Sequence, residues 1–141
     1  IVKVMDSSIY DRVIKFLFDH QIIPSQQHGF LPGKYIQSNL LCCLSDWTKE
    51  IDVGSPTDVM YPDFSKPFDH VPKRRLLHKL QHLGLRGNLL KWIGSFLSER
   101  TFRVKVRDAY SRPFEVMSGV PQGSVLGPLL FIAYTADLKS R

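Results

Sequence analysis

Apolar residues at Ile9, Val13, Phe16 and Leu17 recur at helical spacing, and Asp6-Ser7-Ser8 stands before them as a candidate cap. Pro24 closes that element, and the polar, glycine-containing stretch "SQQHGFLPGKY" follows as a loop. Ile36, Leu40, Leu44, Trp47 and Ile51 predict a second helix, which "DVGSP" breaks. Thr57 to Asp63 reads as a buried strand with Val59, Tyr61 and Asp63 on one face. Val71-Pro72 then opens a helix with proline at its first position, Leu76, Leu80 and Leu83 as its stripe and Gly84 at its end. Asn88 stands as the cap of another helix carrying Leu89, Ile93, Phe96 and Leu97. "TFRVKVR" alternates strictly, which predicts a strand with Phe102, Val104 and Val106 inward and Arg103, Lys105 and Arg107 outward. Its partner is Pro113 to Met117, across a turn at Asp108-Ala109-Tyr110-Ser111. The stretch "SGVPQGSVLGPLLFIAY" is a glycine- and proline-containing turn feeding an apolar helix. Helices, strand, helices, hairpin and helix in that order predict an α+β chain with one domain.

Composition fits this pattern. The 141 residues are 43% hydrophobic, enough for one packed core or for part of a larger one. No apolar run is long enough to span a bilayer, and the N-terminus lacks the apolar core of a secretory signal, so an intracellular protein without membrane partners is expected. The two cysteines, Cys42 and Cys43, are adjacent within the second helical pattern and have no metal-ligand spacing, which reads as reduced core thiols. The net charge of +6 is uneven: between Pro72 and Arg107 lie ten basic residues and one acid, Glu99. Such an excess suits a polyanionic partner or a solvated basic surface.

Two stretches could carry chemistry. In "VMYPDFSKPFDHV", Asp63 ends the predicted strand, where a carboxylate suits either a Mg²⁺ ligand or a turn. Asp69 precedes His70-Val71-Pro72 and is placed to cap the next helix. In "SGVPQGS", two glycines and a proline force a tight turn with free amide groups, and Gln122 presents a side-chain amide beside it. His78 and His82 are four apart without an accompanying carboxylate or cysteine, and read as surface residues.

With their spacing, these stretches resemble the reverse transcriptase domain of non-LTR (LINE-type) retrotransposons. The segments that carry the likeness are "SSIYDRVIKFLFDHQIIPSQQHGF", "FLPGKYIQSNLL", the run from "VMYPDFSKPFDHV" to "TFRVKV", and "SGVPQGSVLGPLLFIAYTADL". The resemblance implies a partial right-hand polymerase: finger-side helices over about residues 1–56 and a ferredoxin-like, incomplete palm over about 57–141. It implies an RNA-directed DNA polymerase that uses two Mg²⁺ ions, an RNA template, a DNA primer and deoxynucleoside triphosphates. It makes Asp63 the first catalytic and metal-binding aspartate, with the Phe64 backbone beside it. It likewise makes Phe68 the aromatic gate against a ribose 2′-hydroxyl, and Pro121, Gln122 and Gly123 the turn against the nucleotide. Lys73, Arg74, Arg75, Arg103, Lys105 and Arg107 are implied to lie along the nucleic acid, with salt-sensitive binding.

The departures from the family pattern are specific. Pro62 and Pro67 stand where the family usually has small aliphatic residues and alanine, and Leu31 where it often has arginine. The family's Asp-Asp turn is expected beyond Arg141, so the 141-residue chain is expected to be inactive alone, and Asp137 to be structural. The alternative is a degenerate, non-catalytic remnant that binds nucleic acid through its basic surface.

Overall fold

The structure is a computed structural model and describes residues 2–138. Five helices and two short antiparallel ladders follow in order: α1 (Val2–Asp19), α2 (Ile36–Asp52), α3 (Lys73–His82), α4 (Gly87–Leu97), β1 (Thr101–Phe102), β2 (Lys105–Val106), β3 (Ala109–Tyr110), β4 (Phe114–Glu115) and α5 (Leu126–Thr135). This mixture of helix and small antiparallel sheet agrees with an α+β chain.

The core forms around α5, whose sequence is apolar on nearly every side and which buries Leu126, Leu129, Leu130, Ile132 and Ala133. Helices α1 and α3 pack against it, and α4 packs on α3. Val13 and Leu17, Leu76 and Leu80, and Ile93 and Leu97 enter the core as pairs one helical turn apart. Full burial of each such side chain contributes about 1.5–3 kcal/mol.

Three helices stop in the same way. After α1, α2 and α3 one residue takes positive φ (Gln21 at 53°, Gly54 at 72°, Gly84 at 103°). The next amide then reaches back five residues: Ile22 N–H to the Leu17 carbonyl, Ser55 to Glu50, and Leu85 to Leu80, at 2.9, 2.9 and 3.0 Å. Two of the three positions hold glycine, as that geometry favours; Gln21 carries the steric cost of a Cβ. Chain reversal after α1 is thus complete before Pro24.

Several local expectations need correcting. Helix α1 runs through Asp6-Ser7-Ser8, so these residues do not cap it; Asp6 is buried and its Oδ1 has no partner among the described residues. Pro72 occupies the N-cap of α3, with ψ 117°, one position before the first helical residue. Arg86 occupies the N-cap position of α4 without a side-chain cap bond, and Asn88 lies inside the helix. Cys42 is exposed and Cys43 half-buried on α2, so they are not core thiols, because that helix buries no residue.

Residues 57–63 form no strand. Val59, Met60 and Tyr61 are exposed, so burial does not reward an extended pairing there, and Pro56 and Pro62 lack the N–H groups a ladder needs.

The hairpin forms, with its turn at Arg107-Asp108 and not at 108–111. Lys105 pairs with Tyr110 and Val106 with Ala109, whereas Thr101 pairs with Glu115 and Phe102 with Phe114. The register slips by one residue between the two ladders, so the returning arm carries an extra residue at 111–113, a bulge. Pro113 has no N–H to continue the ladder, and the Ser111 hydroxyl accepts from the Val104 N–H at 2.9 Å instead. Phe102, Val104 and Val106 are all at least half exposed, because no other described helix or strand packs on the hairpin.

Candidate functional site

The two stretches singled out in the sequence meet in space. The segment after Asp63 turns at Lys66, which adopts φ 47°, and its carbonyl accepts the N–H groups of Asp69 (3.0 Å) and His70 (3.3 Å). Pro67 disfavours right-handed helical geometry at the residue before it, which fits this conformation. The turn swings Phe68 inward. Its ring lies 4.8 Å from that of Phe131 on α5 and meets Phe30 edge-on at 5.5 Å. Leu31, the departure from arginine, is buried in the core.

The segment then runs against residues 118–122. Gly119 N–H donates to the Val71 carbonyl and Val120 N–H to the Phe68 carbonyl, both at 2.8 Å. The Ser118 hydroxyl donates to the Asp69 carbonyl at 2.7 Å, and Gln122 Nε2 donates to Asp69 Oδ1 at 2.7 Å. Glycine at 119 permits this approach: a Cβ there would sit 2.7 Å from the Phe68 carbonyl oxygen and 2.8 Å from the Asp69 Cα, and φ is +85°. Asp69 therefore does not cap α3; its side chain reaches across to Gln122.

The turn is braced from two other directions. The Ser124 hydroxyl donates to the Pro121 carbonyl at 2.7 Å and accepts from Gly127 N–H at 2.9 Å, seating the turn on the start of α5. The Arg100 guanidinium donates to the carbonyls of Leu97, Ser118 and Gly119, and burial lowers its pKa from the ordinary arginine value. Gly123, at φ +76°, has open space around it.

Asp63 and Phe64 lie at the exposed end of this segment, and among the described residues no hydrogen bond or ion pair holds the Asp63 carboxylate. A cleft of about 360 Å³ begins at the next residue, lined by Phe64, Pro67, His70, Val71, Phe131 and Tyr134 among others. The exposed Asp63 carboxylate supplies oxygen donors of the kind a hard divalent cation takes. No group of three or more His, Cys, Asp or Glu among the described residues could hold a metal ion, so these residues do not form a magnesium site by themselves.

The basic residues divide. Arg74 and Arg75 are exposed on α3, and Arg103, Lys105 and Arg107 on the hairpin. Lys105 Nζ lies over the Tyr110 ring at 5.3 Å. Lys73 Nζ donates to the Val116 carbonyl, tying the start of α3 to the base of the hairpin. Lys79 binds the Tyr134 carbonyl and pairs with Asp137, whose pKa that hydrogen bond lowers, in keeping with a structural Asp137. The sequence reading missed the brace at Arg100 and the pairing of Asp69 with Gln122. Both residue types were visible, but neither contact has a local sequence signal.

The family profile described as reverse transcriptase (RNA-dependent DNA polymerase) matches residues 1–141. The chain is 32% identical over 136 residues to a probable RNA-directed DNA polymerase from transposon BS of Drosophila melanogaster, covering 96% of this chain. It is 30% identical to the corresponding protein of transposon X-element and 32% identical to the RNA-directed DNA polymerase of mobile element jockey, both from the same fly and each over 98% of this chain. It spans about 15% of the length of each of these relatives. No solved structure matches. The described residues contain no helix long and apolar enough to cross a membrane. The match of the family profile over the whole chain, together with these relatives, means that the chain belongs to the reverse transcriptase family.

Proposed function

We propose that the chain is a finger-side and palm portion of an RNA-directed DNA polymerase of a non-LTR retrotransposon, with the boundary near residue 56. The parent protein extends a DNA 3′ end along an RNA template from deoxynucleoside triphosphates. Asp63 contributes one carboxylate to a Mg²⁺ site completed by other parts of the parent polypeptide, with the Phe64 backbone beside it. Phe68 is the gate that senses the sugar, and Pro121, Gln122 and Gly123 line the nucleotide. Arg74, Arg75, Arg103, Lys105 and Arg107, with Lys73 at the base of the hairpin, follow the phosphates of the duplex.

The observation that carries this reading is the joint between residues 68–71 and 118–122. It sets Phe68 and the 121–123 turn side by side, although about fifty residues separate them in sequence. Nucleotide selection requires both at one place, because the 2′-hydroxyl is what tells an RNA building block from a DNA one.

The test is a chimera in which residues 1–141 replace the matching segment of the jockey polymerase. Incorporation of deoxynucleotides on an RNA template is expected. Asp63→Asn should lower it by about a hundredfold or more, as loss of a direct metal ligand would. Phe68→Ala should admit ribonucleotides. A chimera that binds duplex but incorporates nothing would favour the non-catalytic remnant.

A further inference from the structure

We propose that Asp69 is a positioning residue that orients the Gln122 amide toward the incoming nucleotide. The inference rests on the polymerase reading of this site and adds a residue to it.

The chemistry of the pair fixes which way the amide faces. An ionised carboxylate only accepts hydrogen bonds, so the group of Gln122 that meets Asp69 Oδ1 at 2.7 Å must be its NH₂. The carbonyl oxygen Oε1 is then left to accept, and one N–H remains to donate. A free glutamine at a turn would sample both orientations; this one presents a single acceptor and donor pattern to a ligand.

Asp69 is itself held on several sides. Its N–H donates to the Lys66 carbonyl, its carbonyl accepts from the Ser118 hydroxyl, and the bare Cα of Gly119 lies against its backbone. The side chain is consequently delivered from a fixed backbone, and the fixed backbone belongs to the same turn that places Phe68. Gate and amide are therefore set by one rigid piece, which couples recognition of the sugar to recognition by Gln122. Because the pair is exposed, water competes for it and the expected effect is moderate.

Two measurements test this. In the chimera, Asp69→Ala should raise the KM for deoxynucleoside triphosphates about five- to tenfold with kcat little changed, as loss of uniform binding does. Gln122→Ala should do the same, and the double variant should be no worse than Gln122→Ala alone. Asp69→Asn, whose Oδ1 still accepts, should restore most of the affinity. An unchanged KM in Asp69→Ala, or multiplicative effects in the double variant, would overturn the proposal.

Independently of catalysis, the Gln122 side-chain amide protons in the ¹⁵N-labelled 141-residue chain should show a displaced, hydrogen-bonded resonance that Asp69→Ala removes. A resonance indifferent to Asp69 also overturns it. A wild-type chimera without incorporation would overturn the polymerase reading and the nucleotide role with it, while the amide resonance still decides whether the pair exists.

Discussion

Lys66 holds a left-handed conformation that a side chain disfavours, and the turn that positions Phe68 depends on it. Glycine at this position would remove the steric cost but would also loosen the unfolded chain. Lys66→Gly is therefore expected to raise stability by about 1 kcal/mol or less, measured as a shift in denaturant midpoint. Gly119 presents the opposite case. A Cβ there would overlap backbone atoms of Phe68 and Asp69, which cannot give way as a flexible side chain does. Gly119→Ala should cost about 2–4 kcal/mol or force the two segments apart, and the Phe68→Ala phenotype would then appear without any change at Phe68. Comparing melts and ribonucleotide discrimination in the two variants checks this.

At the scale of elements, the helices were readable because their apolar stripes have the period that burial imposes: Leu76 and Leu80, or Ile93 and Leu97, can only be satisfied on one face. The absence of a strand at 57–63 was not readable from alternation alone. Tyr61 and Val59 have the pattern, but strand formation needs a neighbour, and no described segment pairs with them. The hairpin was legible in its alternation and its partner, yet its turn and bulge were not, because Pro113 and Ser111 shift the register through hydrogen bonds that periodicity does not encode. In the site, Asp69 looked like a cap because aspartate before a helix commonly is one; a contact across 53 residues overrides that local preference. Arg100 was counted with the surface charge, although it joins the end of α4 to the 118–119 carbonyls. Arg100→Ala should therefore destabilise the chain by about 1–3 kcal/mol, whereas a purely superficial arginine would change little. Thermal melts distinguish the two.

Across the whole molecule, charge and hydrophobicity are separated. The core gathers on α5, and most of the basic excess lies on α3 and the hairpin, with Arg74, Arg75, Arg103, Lys105 and Arg107 exposed. If the hairpin follows phosphates, replacing Arg103, Lys105 and Arg107 together by alanine should flatten the dependence of log K on log salt by about 2–3 units for duplex binding, at equal folding stability. Filter binding over a range of salt reads that slope directly. Helix α2 stands apart from this division: none of its residues is buried, it packs against no other described helix or strand, and Ile36, Leu40, Leu41, Leu44 and Ile51 face water. A helix of that length held by little beyond its own backbone unfolds at small cost. Its amide protons should exchange with deuterium long before those of α5, and a protease added to the folded chain should cut there first, dividing the chain with the α3–α5 core still intact.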